Sequence, residues 1–210
     1  MIEQRFGLHH KTILITGASS GIGRACAIAC SEAGGRIILI GRNEVRLEET
    51  RRLLSKADEE HITLPLDITD YSKVDERMKA FENQGLKING LLHSAGISTT
   101  LPLRNIKPDA LNDMLHTNVI AAVHLAKWVS RKKILPEHGQ SMVFLSSVMG
   151  QLGEAGKTMY SSSKGALLAA ARSMAIELAG KKIRVNCISP GVVETPMSDS
   201  AVYSKNEEAR

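Results

Sequence analysis

Tyr160 and Lys164 stand four residues apart in the helical stretch MYSSSKGALLAAARSMAIELAG, with Ser147 upstream at the end of an apolar run. On a helix, side chains four apart share one face, with Cβ atoms roughly 5–6 Å from each other. A phenol with an ordinary pKa of about 10 exchanges protons poorly near neutrality unless a nearby cation stabilises its phenolate. A lysine one turn away can supply that cation, and the pair could then exchange a proton near neutrality. Taken alone, Ser147 reads as an ordinary strand-end hydroxyl, and the Tyr–Lys spacing occurs by chance in many helices.

A glycine-rich turn near the other end of the chain gives the pair its meaning. Thr16-Gly17-Ala18-Ser19-Ser20-Gly21-Ile22-Gly23 follows the β-branched run KTILIT and opens into RACAIACSEAG. Glycines at a strand-to-helix turn let the backbone approach an anion, and the helix N-terminus offers free N–H groups and a positive dipole end. A second strand, RIILIG, completes the βαβ order of a dinucleotide site.

Strands are predicted near 12–16, 36–41, 62–66, 88–93, 141–146 and 183–188. Helices are predicted near 21–33, 43–58, 71–83, 108–134 and 159–179. This alternation predicts an α/β fold: a Rossmann-type doubly wound parallel sheet with helices on both faces, in one domain over 1–210. Ligands of such sheets bind beyond the strands' carboxyl ends, where Gly17, Arg42, Asp67, Ser94, Ser147 and Pro190 all fall.

Composition narrows the function classes. A chain of 210 residues with 43% hydrophobic content can bury a core unaided. No apolar run reaches the ~18–20 residues of a membrane span. The formal charge of +5 is spread along the chain, aromatics are 3%, and Arg131-Lys132-Lys133 is the longest basic run. Nucleic acid and membrane are therefore not expected partners. Cys26, Cys30 and Cys187 lack metal-ligand spacing and read as reduced thiols, so no metal and a cytoplasmic location are expected.

In order along the chain, these motifs are similar to those of the short-chain dehydrogenase/reductase family, over essentially its whole length. Thr16–Gly23 matches TGxxxGxG, His93-Ser94-Ala95-Gly96 stands for NNAG, and Tyr160 with Lys164 forms YxxxK. Asp67, Asn118, Ser147, Pro190-Gly191 and Thr195 complete the set. Within the family the chain resembles the 3-oxoacyl-[acyl-carrier-protein] reductases. The resemblance implies that Ser147 polarises the substrate oxygen and that Tyr160 is the general acid or base. It implies that Lys164 lowers the Tyr160 pKa and binds the nicotinamide ribose, and that Asn118 holds a water leading to solvent. It also implies that Gly17, Ser19, Ser20, Gly21, Ile22 and Gly23 cradle the pyrophosphate, and that Asp67 and Ile68 hold the adenine. Ser94, Ala95, Gly96, Pro190, Gly191, Val193 and Thr195 would complete the cofactor site. Asp67 has an alternative reading as a turn or N-cap aspartate.

After the second strand stands Gly41-Arg42-Asn43, where an NAD site needs a carboxylate for the ribose hydroxyls. A guanidinium at Arg42 suits a 2′-phosphate, so NADP(H) is the expected cofactor, with Asn43 in the same site and Ser19, Ser20 and Arg24 near enough in sequence to help, Arg24 having the alternative reading of a solvent-facing side chain. Two features depart from the family pattern. His93 and Ser94 replace the asparagines of NNAG, and His93 reads as a satisfied core residue. The chain also stops shortly after Met197, where the family continues with a lid, a helix and a last strand. The expectation is that this C-terminal part is missing. Three functions remain open: reduction of a carrier-bound 3-oxoacyl thioester; oxidoreduction of a sugar, steroid or other alcohol; and an idle NADP-binding sensor or scaffold. Small residues Gly165, Ala166, Ala169, Ala170 and Ala171 on the 159–179 helix predict close helix pairing in a homodimer or homotetramer.

Overall fold

The computed structural model describes residues 7–56 and 60–198. Six strands form one sheet: β1 (Thr12–Thr16), β2 (Arg36–Gly41), β3 (Ile62–Pro65), β4 (Gly90–His93), β5 (Gln140–Leu145) and β6 (Ile183–Ile188). Their order is β3-β2-β1-β4-β5-β6, and every pairing is parallel. The chain therefore reverses its winding direction between β1 and β4. The carboxyl ends of those two strands open a crevice there.

The helices are α1 (Gly21–Glu32), α2 (Glu44–Arg52), α3 (Tyr71–Asn83), α4 (Pro108–Leu115), α5 (Ala121–Val129) and α6 (Thr158–Leu178). Strands β1 and β2 read as continuous β-branched runs because both faces are covered. One face packs Ile13, Ile15, Ile37 and Leu39 against Ala27 of α1 and Leu47 of α2. The other buries Leu14, Ile38, Ile40, Met142 and Phe144 under α3, α5 and α6. Strand β6 is an edge among the described residues. Its Ile183 and Val185 are buried, while Arg184, Asn186 and Ile188 alternate outward.

Two predicted helices differ from expectation. The 43–58 helix stops at Arg52, capped by Leu53; residues 57 and 58 lie outside the described residues. The single helix expected over 108–134 is two, joined by a π-helical segment, His116–Ile120. Periodicity cannot show this inserted residue. Its cause is tertiary: Asn118 in that segment is drawn inward and wholly buried. Helix α5 then ends at Val129, and Arg131 lies beyond it, stacked on Trp128 and paired with Glu82.

Candidate active site

A cleft of about 650 Å³ runs along the carboxyl ends of the strands, from Arg42 and Arg46 at one end to Tyr160 and Lys164 at the other. At its centre is the turn after β1. Gly17 and Gly21 have φ of +66° and +51°, the left-handed region that glycine tolerates without strain. A Cβ on Gly23 would lie 2.3 Å from the Gly17 oxygen, so only glycine lets α1 start this close to the turn. Ser20 occupies the N-cap of α1 but makes no side-chain cap, and the first turn carries no acidic residue. The leading amides of α1 thus retain capacity for an anionic ligand. Ser19, Ser20, Gly21 and Ile22 all line the cleft there.

At the Arg42 end, Asn43 caps α2 by accepting from the Arg46 backbone N–H at 2.9 Å. Arg24 does not reach into the cleft. Its guanidinium donates to the Ser19 carbonyl at 2.7 Å and to Thr50 Oγ1 at 3.0 Å, and pairs with Glu49 at 3.2 Å. Thr50 Oγ1 in turn donates to the Ala18 carbonyl at 3.0 Å. Arg24 therefore clamps the glycine turn to α2 instead of serving a ligand. The sequence reading missed Arg46, which lines the cleft beside Arg42. Its place in the first turn of the helix that begins just after Arg42 was the available signal. Asp67 lies in the wall, its Oδ1 accepting from the Thr69 backbone N–H and hydroxyl at 2.9 and 2.7 Å. The N-cap of α3 is Asp70, which accepts from the Lys73 N–H. Ile68 lines the same wall.

Beside the glycine turn runs Ser94-Ala95-Gly96. Thr16 Oγ1 accepts from the Ser94 and Ala95 backbone N–H groups at 3.2 and 3.1 Å. A Cβ on Gly96 would lie 3.1 Å from Asn118 Oδ1 and 3.6 Å from Lys164 Nζ. The Asn118 side chain is fully engaged. It accepts from Ile97 N at 2.8 Å and donates to Ile97 O at 3.0 Å and to Ser163 Oγ at 2.9 Å. Asn118 thereby ties the wall segment to α6, a role for Ser163 that the sequence did not disclose.

Tyr160 and Lys164 both line the cleft, with Nζ 5.7 Å from the phenol ring centroid. Lys164 is 5% exposed and donates to the Leu145 carbonyl at 2.7 Å. Burial depresses its pKa from 10.5 to about 8. Burial also raises the Tyr160 pKa, opposed by a hydrogen bond with Ser147. Ser147, itself buried, accepts from the Met149 N–H at 3.2 Å as the cap of a short 3-10 turn. Ser146 Oγ donates to the Lys164 carbonyl at 2.9 Å, which fixes α6 against the end of β5. After β6, Thr195, Pro196 and Met197 close the cleft over Gly21, while Pro190, Gly191 and Val193 stay outside its lining. Val148 N donates to the Pro190 carbonyl at 3.0 Å, joining the two loops.

The fit to a dinucleotide is therefore local and physical: glycines where a Cβ would clash, uncapped amides facing the cleft, and a buried ammonium at its far end. The short chain dehydrogenase family model matches residues 11–206. Carbonyl reductase family member 4 from Danio rerio is 35% identical over 188 residues, covering 88% of this chain and 76% of that protein. The human 3-oxoacyl-[acyl-carrier-protein] reductase is 32% identical, covering 90% of this chain and 78% of its own. Among solved structures, 4-hydroxyisoleucine dehydrogenase complexed with NADH superposes with a TM-score of 0.77 at 28% identity, over 90% of this chain and 79% of that one. The chain belongs to the short-chain dehydrogenase/reductase family, oxidoreductases that act on CH–OH/C=O groups with a nicotinamide cofactor. No helix among the described residues is long and apolar enough to cross a membrane.

Proposed function

We propose that this protein is an NADP(H)-dependent reductase of carbonyl groups, with a 3-oxoacyl thioester on an acyl carrier protein as its substrate class. One observation carries the cofactor choice. Arg42 and Arg46 line the ribose end of the cleft, whose acidic lining residue, Asp67, has Oδ1 held by the Thr69 backbone N–H and hydroxyl. Two guanidiniums directly after β2, where an NAD site needs a carboxylate, suit a 2′-phosphate and disfavour recognition of a bare ribose diol. The substrate class is supported by the 3-oxoacyl-[acyl-carrier-protein] reductases among the similar proteins. Met197, which lines the cleft and is partly exposed, is apolar as an acyl chain requires.

The bound nicotinamide supplies the hydride. Ser147 opposes the upward shift of the Tyr160 pKa, so the two hydroxyls would hold one carbonyl oxygen together, with Tyr160 delivering the proton. Lys164, with two ammonium protons beyond the one given to Leu145, would bind the nicotinamide ribose and, as a cation beside the phenol, favour its phenolate. Asn118 fixes the wall at Ile97. Gly17, Ser19, Ser20, Gly21, Ile22 and Gly23 receive the pyrophosphate, and Asp67 and Ile68 the adenine. Ser94, Ala95 and Gly96 would hold the ribose and Thr195 the carboxamide side, while Pro190, Gly191 and Val193 belong to the same segment but lie outside the cleft lining. Exposed Ile120, Val123 and Ile176 support a homodimer or homotetramer built on the α4–α5 and α6 faces.

Steady-state assay of Tyr160→Phe tests the assignment. Loss of the proton donor lowers kcat by about 10²–10⁴-fold while NADPH affinity stays within about threefold of wild type. A variant that keeps its turnover, or loses NADPH binding in parallel, refutes it.

A further inference from the structure

The buried group that the reaction scheme leaves unused is His93, at the end of β4. It is 1% exposed, and its Nδ1 lies 3.1 Å from Thr16 Oγ1. Its Nε2 is buried without a hydrogen-bond partner among the described residues. The expected satisfied core histidine is thus satisfied on one side only. Which way the Nδ1 contact runs follows from counting. A hydroxyl has one proton and two lone pairs. Thr16 Oγ1 already accepts from the Ser94 and Ala95 amides, and Thr16 is wholly buried. Both lone pairs are occupied, so its single proton points at His93, and Nδ1 must be the bare, accepting nitrogen. A proton on Nδ1 would instead face the threonine proton or displace one amide.

We propose that His93, held as the neutral Nε2–H tautomer, is a positioning residue for the cofactor: its Nδ1 accepts the Thr16 hydroxyl and so fixes the Ser94–Gly96 segment of the cleft wall. The lever is short. Ala95 N lies 2.9 Å from where a Cβ of Gly17 would stand, and Gly96 abuts Asn118 and Lys164. A slack Thr16 therefore loosens the glycine turn's neighbour and the wall beside Asn118 and Lys164 together. Chained hydrogen bonds also polarise one another, so the imidazole strengthens the threonine as an acceptor for the two amides. Protonation would reverse the Nδ1 contact. Burial, helped by the Lys164 ammonium, holds the His93 pKa down at about 3, so the arrangement persists through neutral pH. The family's asparagine fits the same logic: its Oδ1 is attached to Cγ as Nδ1 is in histidine, so it can accept the same proton.

The proposal rests on dinucleotide binding and not on the choice between NADPH and NADH. Its test compares His93→Asn with His93→Leu by fluorescence titration of both dinucleotides, alongside kcat and KM. Loss of the acceptor weakens both dinucleotides about tenfold in His93→Leu, the scale of one buried hydrogen bond. The NADPH-to-NADH ratio stays constant, kcat at saturating dinucleotide falls less than about threefold, and His93→Asn binds both within about threefold of wild type. Wild-type affinity in a folded His93→Leu overturns the proposal, as does His93→Asn binding as weakly as His93→Leu. An altered ratio with intact affinity in Arg42→Asp would bear only on the NADP(H) reading. Should His93→Leu fail to fold, nitrogen-15 spectra of histidine-labelled wild type decide. One ring that stays neutral and Nε2-protonated between about pH 5 and pH 8 supports the assignment, and a His93 ring carrying its proton on Nδ1 overturns it.

Discussion

Replacing Lys164 with methionine removes a charge that the fold holds at a cost. Lys164 is 5% exposed and has no salt-bridge partner among the described residues. Burial pulls its pKa from 10.5 to about 8. The folded value lies below the unfolded one, so the unfolded chain holds this proton more tightly. Lys164 therefore lowers wild-type stability by a constant amount below about pH 8, and the cost disappears as pH rises toward about 10.5. At 1.36 kcal/mol per pKa unit the cost is roughly 3 kcal/mol. Methionine keeps the length and bulk of the side chain without the charge. It also forfeits the 2.7 Å bond to the Leu145 carbonyl, worth about 1 kcal/mol. The variant should accordingly be about 2 kcal/mol more stable than wild type near pH 7, and about 1 kcal/mol less stable above about pH 10.5. Urea denaturation without dinucleotide, at both pH values and with unchanged slope, measures the crossover. Other titrating groups are common to both proteins and cancel. A stability difference that does not change with pH would refute the claim that Lys164 is held charged and desolvated.

Three further substitutions test the phosphate turn and the ribose end. Gly23→Ala places a Cβ where the Gly17 oxygen lies 2.3 Å away. The turn and α1 must separate, so stability should fall by about 1–3 kcal/mol and both dinucleotides should bind more weakly; an unchanged melting temperature and affinity would contradict the close packing. Arg42→Asp should move the NADPH-to-NADH ratio of kcat/KM toward NADH. Arg46→Ala should lower the same ratio by about 10–150-fold, the worth of one charge-assisted hydrogen bond, and a ratio untouched by either change would remove the 2′-phosphate reading.

Much of the fold was legible because each βαβ unit is locally encoded. The β-branched run 12–16, the glycines after it and the apolar stripe of α1 are all short-range signals. Strand positions and all-parallel pairing follow from the alternation of elements. What failed was anything set by a distant partner. The 108–134 pattern reads as one helix because its hydrophobic period is continuous, and the π segment exists because Asn118 is bonded to Ile97 and Ser163. Arg24 reads as a cation near the phosphate turn, yet Thr50 and Glu49, more than twenty residues away, capture it.

By itself the sequence determined which chemistry is present: a phenol and an ammonium one helical turn apart, a glycine turn shaped for an anion, and an arginine where a carboxylate would select NAD. Those are properties of residue type and near-neighbour spacing. Only the tertiary structure decided the state of those groups. Burial from β4, β5 and α6 sets the direction of the Tyr160 and Lys164 pKa values. Packing of β1 beside β4 brings Thr16 and His93, 77 residues apart, into one hydrogen-bond chain. Desolvation and hydrogen-bond direction depend on what surrounds an atom from every side, and no local pattern carries that information.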